Sequence, residues 1–139
     1  MKKIIAVALA SIVLTSSAGA EIPTPPQEIR NIVCEATKGL LFPTARDVMA
    51  VMWVESRFNP KAVNGKSKGL MQVNGGSFVP WVNINQGVNM LQDLHSVLGN
   101  PKAAFLAYNS GLGGYKKGKS NPEYFRKVHE TKKGVVEPC

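Results

Sequence analysis

The sequence predicts one small, mostly helical α+β domain. Apolar residues recur at the 3.6-residue helical spacing in five separate runs. Pro, Gly, Thr and Asn stand at the ends of these runs, where helices start and stop. One polar stretch near the middle, Lys61 to Lys68, breaks the helical pattern and leads into Gly69-Leu70-Met71-Gln72, which reads as a short extended segment. At 139 residues the chain can bury a modest core and is too short for two domains.

Taken in order, Thr24-Pro25-Pro26-Gln27 has the arrangement of an N-cap, a Pro at the first helical position and a Gln at the third. The helix it opens has Ile29, Ile32, Val33 and Ala36 on its apolar face and stops at Gly39. Thr44 caps the second helix, with Asp47 three residues on, and Asn59-Pro60 ends it. Gly75-Gly76 marks a turn, followed by Phe78, Trp81 and Val82. As an aromatic in a short connector, Trp81 fits the core; it could also stack on a ligand ring. A third helix from Asn85 to Leu98 has Val88, Leu91, Leu94 and Leu98 as its stripe, with Asp93 and His95 off it and facing solvent. A fourth, Lys102 to Asn109, has Ala103, Ala104 and Ala107, small enough for close approach and so suited to the centre of the fold. After a Gly111-x-Gly113-Gly114 turn and a basic loop, Asn121-Pro122 opens the last helix with Tyr124, Phe125 and Val128 inward. The tail from Thr131 is irregular.

The first 20 residues have a Lys2-Lys3 start, an apolar run from Ile4 to Leu14 and an Ala18-Gly19-Ala20 end, the pattern of a secretory signal cleaved before Glu21. An uncleaved anchor is the alternative, but Ser11, Thr15, Ser16 and Ser17 interrupt a run already short for a membrane span. The expected layout is thus a leader, 1–20, and one domain, 21–139, placed in the periplasm or outside the cell. Without Lys2 and Lys3, 15 basic residues face 9 acidic ones, a net charge of about +6. The partner expected is anionic; no aromatic-plus-basic nucleic-acid motif is present, and a cell wall bearing carboxylates and phosphates suits the compartment. No His, Cys and carboxylate set stands at metal-ligand spacing, so neither metal nor cofactor is expected. Export makes a Cys34–Cys139 disulfide the expected state, pinning the tail to the first helix.

The candidate for chemistry is Glu55. Ala45, Val48, Met49 and Met52 form the apolar stripe of the second helix, and Glu55 lies on that stripe instead of the opposite face. A carboxyl buried among Met and Val resists ionisation, which lifts its pKa toward the range of a general acid. The plain alternative is a surface ion pair with Arg57.

Glu55 to Val63, ESRFNPKAV, and Ser67 to Val73, SKGLMQV, closely resemble the E-S-x-F-N-P-x-A and S-x-x-G-L-M-Q motifs of the soluble lytic transglycosylases, peptidoglycan-cleaving enzymes related to goose-type lysozyme. Asn83-Ile84-x-x-Gly87-x-x-x-Leu91 and Ala107-Tyr108-Asn109-Ser110-Gly111 resemble two further elements of that family, in its order. The connector between the second and third motifs is shorter than the family's, which bears on the outer rim of the cleft. The resemblance implies a lysozyme-like fold with an extended segment beside the catalytic helix, and peptidoglycan glycan strands as substrate. It puts Ser67 and Gln72 near the catalytic Glu or the sugar, Met71 along the sugar site, and Tyr108 and Asn109 at the cleft. For Met71 ordinary core packing is an equal alternative, and for Tyr108 a hydroxyl satisfying a backbone carbonyl.

Most glycosidases need two carboxylates across the bond. Between Ser56 and Gln92 there is no Asp or Glu. With one acid, the substrate's own 2-acetamido carbonyl must stabilise the cationic transition state, and its 6-hydroxyl becomes the nucleophile. The expected activity is therefore cleavage of the MurNAc–GlcNAc bond with 1,6-anhydro-MurNAc ends. A hydrolytic lysozyme on the same fold is the first rival and a non-catalytic wall-binding or assembly protein the second. The setting, whether wall growth, a secretion or conjugation apparatus, or a phage, is open.

Overall fold

The structure, a computed structural model, describes residues 21–139. The predicted leader, 1–20, lies outside the described residues. Two prolines in succession decide where the first helix begins. Pro25 precedes another proline and is held out of the helical region, so it cannot serve as a first helical residue. Pro26 has ψ 149°, and helix α1 runs Gln27–Thr37 with no side-chain cap. The predicted Thr24 cap is therefore not formed. The apolar face is as predicted, with Ile29 and Val33 buried and Ile32 and Ala36 packed beside them.

Helix α2, Ala45–Ser56, has the reciprocal cap expected of Thr44 and Asp47: each backbone N–H donates to the other's side chain, at 3.1 and 2.9 Å. It ends three residues before Asn59-Pro60. Arg57 and Phe58 take left-handed backbone angles, φ 53° and 61°, and fold back so that both pack on Trp53.

The stretch predicted as loop and extended segment is a small antiparallel sheet. Strands β1 (Val63–Asn64), β2 (Ser67–Lys68) and β3 (Val73–Asn74) lie in that order, with Asn64 opposite Ser67 opposite Asn74, and Val63 opposite Lys68 opposite Val73. Gly69-Leu70-Met71-Gln72 is the turn between β2 and β3 and not an extended strand, because Gly69 (φ 79°) and Gln72 (φ 50°) reverse the chain.

Helix α3, Pro80–Leu98, starts five residues earlier than predicted. Pro80 is preset for a first helical position, and Val79 before it is extended, ψ 119°. Trp81 thus sits on the first turn, 62% exposed, and is not part of the core. Ile84, Val88, Leu91 and Leu94 are buried; Asp93 is exposed, and His95, predicted to face solvent, is half-buried against the Phe42 ring. Helix α4, Pro101–Ser110, is capped by Asn100 and buried from Ala103 to Tyr108, the central position its alanines predict. Where a glycine turn was expected, Leu112–Lys116 forms a short helix α5. Helix α6, Pro122–Lys133, is capped by Asn121, and Tyr124 and Val128 face inward.

Helix α3 packs on α1 and α4, and α2 packs on α6. At the start of α2 the buried Asp47 carboxylate pairs with Lys132 at 2.8 Å, and Arg46 donates to the Lys132 carbonyl at 2.9 Å. The two helices are therefore antiparallel, bringing the end of α2, with Glu55, to the start of α6, with Tyr124. Cys34 and Cys139 are bridged, their Cα atoms 5.8 Å apart. The bridge closes a loop of 105 residues, worth about 4–5 kcal/mol in the chain-entropy account of the unfolded state.

Candidate active site

Glu55 is in the last turn of α2, where the helix stops and the chain turns toward the sheet. Its carboxyl opens onto a cleft of about 310 Å³ lined also by Val54, Asn64, Ser67, Gln72, Tyr108 and Asn109. One wall is the polar face of the sheet. The register that pairs Asn64 with Ser67 puts both side chains on that side, as the alternation of strand residues requires. The end of α4 supplies the opposite wall, with Asn109 exposed at its rim.

The turn holding Gln72 is fixed from below by Asn83. That side chain is fully buried in α3 with its amide completely used: Oδ1 accepts from the Met71 N–H at 2.8 Å, and Nδ2 donates to the Lys68 and Ser77 carbonyls, each at 2.8 Å. The fit excludes any side chain at Gly69, where a Cβ would lie 2.4 Å from Asn83 Nδ2. Met71 is fully buried, and its sulfur lies so close to Gly87 that a Cβ there would clash with it. The Met71 side chain thus packs into α3 beneath the cleft and is not among the groups that line it, since the turn points it inward while its neighbour Gln72 points outward. Gln72 Nε2 donates to the Ala62 and Gly69 carbonyls, each at 3.0 Å, which fixes the side chain across the turn.

Tyr108 and Tyr124 flank Glu55 from two different helices. The Tyr108 hydroxyl donates to the Met71 carbonyl at 2.6 Å, so it satisfies a backbone group and ties α4 to the turn. Burial, and then the nearby Glu55 charge, push its ionisation well above the ordinary tyrosine range. The Tyr124 hydroxyl is buried and has no partner meeting hydrogen-bond geometry. It nonetheless lies near enough to the Glu55 carboxyl to influence it, a loose contact and not a formed bond.

Burial is what governs Glu55. Loss of water outweighs the Tyr124 contact, which lowers the pKa, and the balance raises it from 4.5 to about 7. Among the described residues no cation pairs with it. Arg57, the candidate partner, instead lies over the Trp53 ring at 4.5 Å. The cleft thus holds one carboxyl, protonated over much of the acid to neutral range, among amides and hydroxyls. Such a group can donate a proton to a leaving oxygen and, once ionised, take one back.

Of the predicted site residues, Glu55, Ser67, Gln72, Tyr108 and Asn109 share the cleft, while Met71 does not line it. Three residues at the site were not anticipated there: Val54, the helix neighbour of Glu55, Asn64 and Tyr124. Asn64 could have been found by reading Val63 to Lys68 as a hairpin turning at Gly65, since alternation then puts it beside Ser67. The approach of Tyr124 to Glu55 depends on how α6 packs along α2, and no local pattern signals it.

No curated protein matches the chain. The complex of the 70-kDa soluble lytic transglycosylase with bulgecin A is similar to it in fold, with a TM-score of 0.55 and 26% identity, over 81% of this chain and 23% of that one. The chain accordingly spans less than a quarter of that protein's length. The family model described as the transglycosylase SLT domain matches residues 44–130, more than half of the chain and the segment that holds the whole cleft. The chain belongs to the transglycosylase SLT domain family.

Proposed function

We propose that this protein is a peptidoglycan lytic transglycosylase that cleaves the β-1,4 bond between MurNAc and GlcNAc and leaves 1,6-anhydro-MurNAc ends. The observation that carries the reading is the lone carboxyl: among the described residues Glu55 is the one acid on the cleft, with a pKa raised to about 7 by burial. Family membership and the likeness to a lytic transglycosylase support the same substrate class.

In the first step Glu55 donates its proton to the glycosidic oxygen, the C1–O bond of MurNAc breaks, and the acetamido carbonyl oxygen bonds to C1. The GlcNAc side leaves with a free 4-hydroxyl. In the second step the Glu55 carboxylate takes the proton of the 6-hydroxyl, that oxygen bonds to C1, and the acetamido oxygen is released. Glu55 returns to its starting form and no water is consumed. The tethered 6-hydroxyl has a high effective concentration at C1, and the cleft offers no second carboxylate to activate a competing water. Ser67, Gln72 and Asn109 supply polar contacts for the sugar. Binding of the strand, and export after loss of residues 1–20, complete the proposal.

The test is a mass spectrum of the muropeptides released from purified glycan strands. Ends lighter than hydrolysed ends by one water are expected, and Glu55→Gln should release none. Predominantly reducing MurNAc ends would mean a lysozyme and would overturn the proposed reaction.

A further inference from the structure

The sheet that walls the cleft has a second face. Val63, Lys68 and Val73 share it by register, opposite the Asn64, Ser67 and Asn74 face. Val73 is buried, but Val63 is 60% exposed, and the Lys68 ammonium lies 5.7 Å from the centre of the Phe78 ring. Phe78, Val79 and Trp81 follow within four residues and are 44, 55 and 62% exposed. Among the described residues seven large hydrophobic side chains lie exposed, and four belong to this one region. None of the four lines the Glu55 cleft.

The charge of the same segment has one sign. Residues 56–92 contain Arg57, Lys61, Lys66 and Lys68 and no Asp or Glu. Exposed apolar side chains, with Trp and Phe among them, a lysine beside the Phe ring and no acid in the same stretch of chain, are the composition that settles at a lipid–water interface: the rings enter the headgroup layer and the ammonium groups stay on anionic headgroups. A protein partner would be recognised through complementary donors, acceptors and charges of both signs, whereas a bilayer requires only the apolar tips and the sign.

We propose that the outer face of the sheet together with the Phe78–Trp81 turn is a membrane-attachment surface for anionic lipid. Attachment there leaves the polar face, and with it the cleft, turned away from the bilayer. The surface is independent of the reaction assigned to Glu55, so its test needs no turnover.

The experiment is flotation of the protein with vesicles of phosphatidylcholine alone or with about a third phosphatidylglycerol, at low and at physiological salt. Binding at least tenfold stronger to the anionic vesicles, weakened by salt, is expected. In a Trp53→Phe background the remaining Trp81 fluorescence should shift to the blue on binding. Trp81→Ser and Lys68→Glu should each lower vesicle binding several-fold; the exposed Trp81 can be replaced with the circular dichroism and melting temperature of the parent protein retained, and Lys68→Glu, whose side chain is half-buried, is scored only with matching circular dichroism. Equal binding by Trp81→Ser and the parent, equal binding to neutral and anionic vesicles, or no binding at low salt would overturn the proposal. Retention on purified wall sacculi that Trp81→Ser weakens, without vesicle binding, would overturn it in favour of a glycan platform.

Discussion

Replacing Glu55 by Gln should stabilise the protein above neutral pH while it abolishes cleavage. The folded state holds the Glu55 proton more tightly than the unfolded chain, with a pKa of about 7 against 4.5. Between those values the folded form binds more protons, so stability falls as pH rises through the window. The stabilising contribution is complete below about pH 4.5 and lost above about pH 7. A difference of about 2.5 units at 1.36 kcal/mol each sets the loss at about 3 kcal/mol. Gln cannot ionise and escapes it. The gap between variant and parent should therefore open from pH 4 to pH 8 by about 3 kcal/mol, or about 10 °C in melting temperature for a domain of this size. Thermal unfolding followed by circular dichroism at fixed ionic strength reads this directly, and any constant difference between amide and acid cancels in the pH trend. Parallel curves for the two proteins across the range would refute the claim that burial raises Glu55, and with it the basis for calling it the acid.

The same pKa governs activity: kcat/KM should be level below about pH 6 and fall roughly tenfold per unit above about pH 7.5 as the acid form is lost, and a flat profile would contradict the role. Tyr124→Phe should move that fall to higher pH, because the lost contact is one that lowers the Glu55 pKa. Cys34→Ser should destabilise by about 3–5 kcal/mol in urea unfolding, leaving kcat near the parent value, since the bridge lies away from the cleft. Asn83→Ala strands the Met71 N–H and the Lys68 and Ser77 carbonyls. It should cost about 3–5 kcal/mol of stability and raise KM as the turn loosens, which urea unfolding and steady-state kinetics can separate.

Much of the fold was legible because its determinants are local. The Thr44 cap, the Ile29–Val33 face, the alanines of α4 and the buried stripe of α3 depend on spacing alone. Boundaries failed where a proline or a left-handed residue overrode the pattern: Pro25-Pro26 delayed α1, Pro80 advanced α3, and Arg57 ended α2 early. An extended segment beside the catalytic helix was expected, but its three strands and their positions were not, because strands two residues long carry no visible alternation. At the site, Glu55 was legible from its place on an apolar stripe, and Ser67, Gln72, Tyr108 and Asn109 from motifs. The Met71 placement depended on which side of a turn faces the core, and Gly87 in α3 settles that by leaving room for its sulfur. The exposure of Trp81 follows from the early start of α3, which Pro80 signals as a first helical residue.

The sheet's strands are two residues each, and its two faces have no layer between them. Asn83 bolts this thin plate to α3 through three backbone groups, and the Tyr108 hydroxyl bolts the adjoining turn to α4. A tilt of the plate therefore shifts Ser67 and Lys68 together, one in the cleft and one on the outer face. Any coupling between the two faces is then reciprocal: the factor by which a contact on the outer side changes affinity in the cleft is the factor by which occupancy of the cleft changes the outer contact. The Asn83 amide thus fixes the position of both faces at once, and its loss frees the cleft side and the outer side together.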